Sequence, residues 1–382
     1  MITNTPFPRI AMMWAPVRGD DSPRGLARHD LIMTSTDALG LAPNREPSVL
    51  ADGFALESIP VARERVAELR RLNPNAVVIG DLSFYEYDED ALPEDHPWWL
   101  RVKGQREQFW PGTYRMDWHN PEYQQKVIRQ TIALYETGVV DGVFYDNWRD
   151  EPEPWLKIIR AVREAVGSKF LILVNVGYDI GNFDWLAPYL NGIMYESGWS
   201  HPERSEWMPN ETWDDRIRMM QRSEELLLPP RISIIERFEE VRDQAGWPND
   251  PDKGKPIKKD PAARHWTMCY ALIVGDFYYL FSDSTSHQHD WYPEYDVKIG
   301  LPTGPGERIN AHVWQRHYEK ALVVMNLPDA TEPYQVKLSG CARDSFTGET
   351  GTEFVVPPGD GRILVSEQPK VKRSRAAPRR TP

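Results

Sequence analysis

The sequence predicts an α/β fold, a (β/α)8 TIM barrel followed by a small C-terminal antiparallel β domain. Three observations carry this reading. Short apolar runs rich in β-formers recur eight times before residue 285, helical patterns separate many of them, and the character of the chain changes after Asp283. Alternating strand and helix signals imply a parallel sheet. Eight strands favour closure as a barrel, and no GxGxxG or phosphate loop supports an open nucleotide-binding sheet. The 382 residues suit one barrel plus an appendage.

The eight runs are Arg9–Pro16, Asp30–Ser35, Ala76–Phe84, Gly142–Trp148, Phe170–Tyr178, Gly192–Ser197, Arg231–Phe238 and Phe277–Asp283. Several are almost continuously apolar, as strands covered on both faces should be. Helices are expected over Val61–Leu72, Pro121–Glu136, Trp155–Val166, Thr212–Leu228 and Ala262–Val274. Asn120 is a good N-cap with Pro121 at the first helical position, and Gly167 is a helix stop. The link from the first run to the second holds no convincing helix. Ser284–Glu307 reads as a long loop. Short strands follow at Lys320–Asn326, Tyr334–Leu338, Ala342–Phe346, Glu353–Val356 and Arg362–Val365. The expected division is a barrel over 1–305, a β domain over 306–368 and a basic disordered tail over 369–382.

Net charge is −12, and the last thirteen residues carry six positive charges, so the body is near −18. An acidic body argues against nucleic acid as a partner. No stretch approaches eighteen apolar residues, so no membrane partner is expected. Cys269 and Cys341 make no disulfide framework and no CxxC. The N-terminus lacks a basic region followed by an apolar run, so a cytoplasmic location is expected for the chain as written, although a chain trimmed of an export signal would read the same. The sequence carries no signal for oligomeric state. The 15 Trp exceed ordinary usage, and several stand beside turns and charges, as in Trp98-Trp99, Trp199 and Trp291. Packing accounts for most of these rings. A subset with flat faces in a cleft would suit the C–H faces of sugars.

In such a barrel the chemistry lies at the C-terminal ends of the strands. The runs end on Trp14, Asp81, Asp146-Asn147-Trp148, Asn175, Tyr195-Glu196, Glu236-Arg237 and Asp283. Five carboxylates on one rim are hard to explain by packing, because burying an unpaired carboxylate costs several kcal/mol. Taken singly, each acid could also be an ion pair or a loop cap. Glycoside hydrolysis needs two carboxylates flanking the scissile bond. Asp146 and Glu196 are both delivered to the rim by apolar strands, two strands apart, and make the expected catalytic pair. Glu236 competes for the acid role, with Arg237 beside it able to hold it ionised. Asp141, at the opposite end of its strand, is expected to be structural. The substrate-binding candidates are Trp14, Asp81, Tyr145, Asn147, Trp148, Asn175, Tyr195, Trp199, Glu236, Arg237 and Asp283.

Other constellations are weaker. His287-Gln-His289-Asp290 has ligand types that zinc uses, but an i, i+2 pair in a Gly/Pro-rich loop is common by chance. No HExxH or GxSxG is present, and neither a metal nor a cofactor is expected.

The segment Asp141-Gly-Val-Phe-Tyr-Asp146-Asn-Trp148 resembles the fourth-strand motif of the hypothetical glycosyl hydrolase group with a TIM barrel, loosely similar to glycoside hydrolase family 114. Asp117-Trp-His-Asn120-Pro121-Glu122 is similar to that group's entry into the preceding helix. Gly300-Leu-Pro302, followed by Arg316 and Val323-Val-Met-Asn326, resembles its junction into a terminal β domain. Leu327 departs from the pattern, which has Pro after the Asn. The resemblance implies a glycosidase whose catalytic pair maps onto Asp146 and Glu196. The expectation is therefore cleavage of a glycosidic bond in an oligo- or polysaccharide, with retention through Asp146 as nucleophile and Glu196 as acid/base. Inversion would use the same two residues as base and acid. The alternatives are a catalytically inactive carbohydrate-binding barrel and a metal-dependent polysaccharide-modifying enzyme.

Overall fold

A computed structural model describes residues 5–146, 152–175, 184–196, 212–238, 261–282 and 287–367. Eight parallel strands close into a barrel: β1 (Arg9–Met13), β2 (Leu31–Ser35), β3 (Val77–Asp81), β4 (Gly142–Tyr145), β5 (Leu171–Asn175), β6 (Gly192–Glu196), β7 (Ile234–Phe238) and β8 (Tyr278–Ser282). Each pairs with its sequence neighbours, and β1 pairs with β8 to close the ring. All eight runs read from the sequence are barrel strands.

Around the ring lie helices α1 (Ser58–Leu72), α2 (Pro121–Thr137), α3 (Pro152–Val166), α4 (Trp213–Leu226) and α5 (Pro261–Val274). The link from β1 to β2 holds only two short helical turns, Val17–Gly19 and Pro23–Leu26, consistent with the missing helical pattern there. Asn120 Oδ1 accepts from the backbone N–H groups of Glu122 (2.9 Å) and Tyr123 (3.2 Å), so the Asn-Pro-Glu segment is the cap of α2. Gly138, in left-handed conformation at φ 61°, ends that helix.

The core has two concentric layers, because strand residues alternate between faces. Inward positions such as Met13, Met33, Ile79, Phe144, Leu173, Met194, Ile234 and Leu280 fill the barrel. Outward positions such as Val143, Val174, Ile193 and Ile235 pack under the helices. This parity fixes which residues can reach the barrel mouth.

Residues Glu307–Ser366 form the six-stranded antiparallel sheet of the C-terminal domain. Its strands are β9 (Glu307–Arg308), β10 (Val313–His317), β11 (Ala321–Asn326), β12 (Tyr334–Asp344), β13 (Thr350–Val356) and β14 (Asp360–Ser366). The two strands expected at Tyr334–Leu338 and Ala342–Phe346 are one long β12. Its pairing with β13 shifts register between Lys337 and Ala342, and the polar Ser339-Gly340 there broke the sequence signal. Strand β10 escaped the sequence reading because its Gln, Arg and His interrupt the apolar run.

Helix α5 is buried continuously from Trp266 to Val274, wedged between barrel and sheet. Arg316 closes its C-terminus: the guanidinium donates to the carbonyls of Leu272 (3.0 Å) and Gly275 (2.7 Å) and pairs with Asp276 (2.8 Å). Among the described residues no helix is long and apolar enough to cross a membrane.

Gly142 opens β4 where β5 approaches closely. A Cβ there would lie 2.3 Å from the Leu171 carbonyl oxygen. Gly142→Ala is expected to destabilise the fold by about 2–4 kcal/mol through backbone displacement. Denaturant unfolding measures this, and an unchanged midpoint would contradict the close packing.

Candidate active site

Inward parity at the strand ends brings Asp81 from β3, Asn175 from β5, Glu196 from β6, Glu236 from β7 and Ser282 from β8 to one face, with Asp146 immediately after β4. Asn175 is the centre of the group. Its Nδ2 donates to Asp146 Oδ1 at 2.8 Å and to Glu196 Oε1 at 2.7 Å. Those two bond lengths together mean that the bridged oxygens can be no more than about 5.5 Å apart. Both carboxyls are half-buried and reach the mouth.

Glu236 is different, being 0% exposed. Its Oε1 accepts from Ser282 Oγ at 2.5 Å and from His287 Nδ1 at 2.8 Å. Glu236, expected as a substrate ligand and as rival for the acid role, is thus buried and hydrogen-bonded to His287. Arg237, one residue on, faces outward, and its Nη1 donates to Thr267 Oγ1 on α5 at 3.1 Å.

The same parity removes both tyrosines from the cleft. Tyr145 points under the helices, where its hydroxyl shares a hydrogen bond with Thr131 of α2. Tyr195 points outward too, edge-on to Phe277 with ring centres 5.6 Å apart. Each precedes a site carboxylate, so neither can share its face. Trp99 is core, 2% exposed. Trp291 packs edge-on to His29, and its indole donates to Asp296 Oδ1 at 3.1 Å. Asn147, Trp148, Trp199 and Asp283 lie outside the described residues. At the other end of the barrel, Asp141 accepts from Arg70 Nη2 (2.7 Å) and from the Val78 N–H (2.9 Å), the structural place expected of it.

Trp14 stands beside Asp81. Its backbone is in the left-handed region, φ 51°, an uncommon conformation for a bulky residue. Its indole Nε1 donates to Asp81 Oδ2 at 3.0 Å, and its ring meets Phe144 and His287 edge-on. Asp81 Oδ1 is buried with no hydrogen-bond partner among the described residues. Burial, with the neighbouring Asp146 charge adding to it, pushes the Asp81 carboxyl up to about 7.

His287 and Ser282 were not among the site residues expected from sequence. The two histidines of the His-Gln-His segment part company. His287 turns to Glu236, whereas His289 Nε2 meets His29 Nε2 at 2.9 Å in the core. No group of three metal-ligating side chains is assembled among the described residues.

A parallel eight-stranded barrel with paired carboxyls at its mouth and an antiparallel β domain behind it defines a glycosidase of the TIM-barrel type. The chain belongs to hypothetical glycosyl hydrolase family 15, whose sequence profile matches residues 82–322. No curated protein matches the sequence. Among solved structures, the fold is similar to an alpha-amylase from Lactobacillus plantarum (TM-score 0.53, 12% identity, 94% of this chain and 98% of that one). It is also similar to an Anoxybacillus alpha-amylase (0.52, 12%, 94% and 98%) and to a maltogenic alpha-amylase from Thermotoga neapolitana (0.50, 14%, 89% of each). At these identities the likeness is one of fold.

The Asp81 environment has a measurable consequence. A carboxyl whose pKa is raised on folding makes the protein less stable as pH rises from its ordinary value of 3.8 toward about 7, because the folded state holds the proton longer. Asp81→Asn carries no such charge, so it should melt several degrees above wild type at pH 8, the gap closing toward pH 4. A gap that is flat with pH would contradict a buried, proton-holding Asp81.

Proposed function

We propose that this glycosidase cleaves glycosidic bonds in an oligo- or polysaccharide with retention of configuration, using Asp146 as nucleophile and Glu196 as acid/base. The single Asn175 amide donating to both carboxyls carries this reading, because it sets the short separation that double displacement needs. Exposure supports the assignment within the group: Asp146 and Glu196 are half-buried, and Glu236 is sealed.

In the first step the proton on Glu196 passes to the glycosidic oxygen as the bond from that oxygen to the anomeric carbon breaks. An Asp146 oxygen forms the new bond to that carbon, giving a glycosyl ester and a released alcohol. In the second step Glu196, now ionised, takes a proton from water, whose oxygen displaces Asp146. Asp146 is regenerated as the carboxylate and Glu196 as the acid. Asn175 holds both groups in place throughout, since its amide N–H groups can donate to a carboxylate and to the carbonyl oxygen of a protonated carboxyl alike. The neutral Asp81, anchored by the Trp14 indole, offers a carboxyl to a sugar hydroxyl, so the buried Oδ1 gains a partner when substrate fills the mouth.

The test is a screen of polysaccharides and aryl glycosides with wild type and Asp146→Asn side by side. Wild type should turn over a subset, and Asp146→Asn should lose about 10³-fold or more in kcat while still binding. Glu196→Gln should lose less on aryl glycosides with good leaving groups, which need little protonation. Binding without turnover in wild type would favour the silent carbohydrate-binding barrel instead. Asn175→Ala should cost about 10²-fold in kcat with the fold intact, and unchanged kcat would remove the basis of the pairing.

A further inference from the structure

We propose that Trp110 is a sugar-binding platform on the mouth face of the barrel. It grips a unit of the glycan chain away from the scissile bond, so the favoured substrate is a polymer rather than a short glycoside. The inference rests on the glycosidase reading given above and names the substrate class of the same site.

Trp110 lies in the connection from β3 to α2, residues 82–120. A connection from a strand to its following helix leaves a TIM barrel on the face that carries the chemistry. This one is far longer than such connections usually are, and long loops are commonly functional. It is built around two small antiparallel pairs, Glu86–Asp88 with Thr113–Arg115 and Arg101–Val102 with Gln105–Arg106. Nine of the 35 residues from Phe84 to Trp118 are aromatic, whereas aromatics make up 11% of the whole chain. Packing uses most of that excess. Tyr85 stacks on Trp118 with ring centres 5.1 Å apart, and Trp118 stacks on Trp155 at 5.3 Å.

Trp110 stands apart from this stack. It is 39% exposed, and among the described residues it is the one tryptophan left out in solvent. Its support is stiff. Trp110-Pro-Gly-Thr113 is a β-turn in which the Thr113 N–H donates to the Trp110 carbonyl at 3.0 Å. Pro111 and Gly112 take the central positions, and Gly112 has φ 86°, as a type II turn requires. The Trp110 N–H donates to Thr113 Oγ1 (3.2 Å), and the Glu89 N–H ties the turn to the neighbouring strand through the Gly112 carbonyl (2.9 Å). Phe109 backs the indole edge-on at 5.1 Å. An indole fixed this way loses little freedom on binding, and it offers an apolar face with an N–H at its edge. The C–H face and hydroxyl rim of a sugar ring match both.

Ring contacts run unbroken from the platform to the barrel. Trp110 meets Phe109 at 5.1 Å, Phe109 meets Tyr85 at 5.0 Å, Tyr85 meets Phe84 at 6.3 Å and Phe84 meets Tyr145 at 5.3 Å. The Trp110 ring centre is therefore no more than about 22 Å from that of Tyr145, the residue before Asp146. A glycan of several units spans such a distance. The hydrogen-bond and ring partners of Trp110, Thr113 and Phe109, belong to the excursion itself, so the platform is a second point of contact for the chain.

Two measurements test the proposal. The first compares wild type, Trp110→Ala and Trp110→Phe on aryl monoglycosides and on soluble starch, xylan, pectin and alginate. The ratio of kcat/KM for the polymer that is cleaved to kcat/KM for the aryl glycoside should fall about tenfold in Trp110→Ala. The fall should lie in the polymer KM, because a remote platform binds substrate and transition state alike. Trp110→Phe should keep the ratio near that of wild type. An unchanged ratio, or equal losses on both substrates with a lowered Tm, would mean a merely structural role and would overturn the proposal. The second is affinity electrophoresis through gels holding the same four polymers, with Asp146→Asn as the background so that nothing is cut. At least one polymer should retard Asp146→Asn, and adding Trp110→Ala should weaken the apparent Kd about tenfold. Equal retardation of the two, or none by any polymer, would overturn the proposal. If wild type turns over no glycan, the assignment of Asp146 and Glu196 fails separately, and the gels alone decide whether Trp110 holds a glycan chain.

Discussion

The amide of Asn175, shared between Asp146 and Glu196, is the interaction on which the functional site depends. One nitrogen cannot serve two acceptors unless both lie within hydrogen-bond reach, so this contact keeps one oxygen of each carboxyl close to the other. It requires three consecutive strands, β4, β5 and β6, to deliver inward side chains to one level. Gly142 lets β4 approach β5, and the register of β5 with β6 sets Asn175 opposite Met194, two positions below Glu196. The carboxyl spacing is thus a property of the barrel more than of any loop.

Burial separates one carboxyl from the rest. Asp81, Asp146 and Glu196 are half-buried, with Asp81 holding its proton toward neutrality, and Glu236 is sealed and bonded to His287. The left-handed backbones of Trp14 and His287 bring two rings into edge contact over this group. Non-glycine residues in that region are seldom found without a reason, and their meeting at the site marks where the fold gives up local stability for placement. The C-terminal sheet serves the barrel from outside. It buries α5, and Arg316 satisfies the carbonyls at that helix's end.

Much of the fold was legible because hydrophobic periodicity reports secondary structure directly. All eight barrel strands stand in the sequence as apolar runs, and the weak helical signal between β1 and β2 reflects a real shortage of helix. The Asn-Pro-Glu and Gly-Leu-Pro motifs are also physical features. One is the cap of α2, and the other borders the seam where Phe7 pairs with Gly300. At the site, the carboxylates were legible but the residues beside them were misassigned. Tyr145, Tyr195 and Arg237 were grouped with Asp146, Glu196 and Glu236 because they adjoin them in sequence, yet adjacency on a strand puts side chains on opposite faces. His287 was visible only as half of a His-Gln-His segment. Its pairing with Glu236 spans 51 residues of sequence and depends on a backbone turn that composition does not encode.

The most direct measurement of the central claim is a peptide mass map of enzyme trapped with a slow 2-fluoro-glycosyl substrate. The account predicts a glycosyl ester on Asp146. Turnover with no ester, or an ester on Glu196, Asp81 or Glu236, would contradict it.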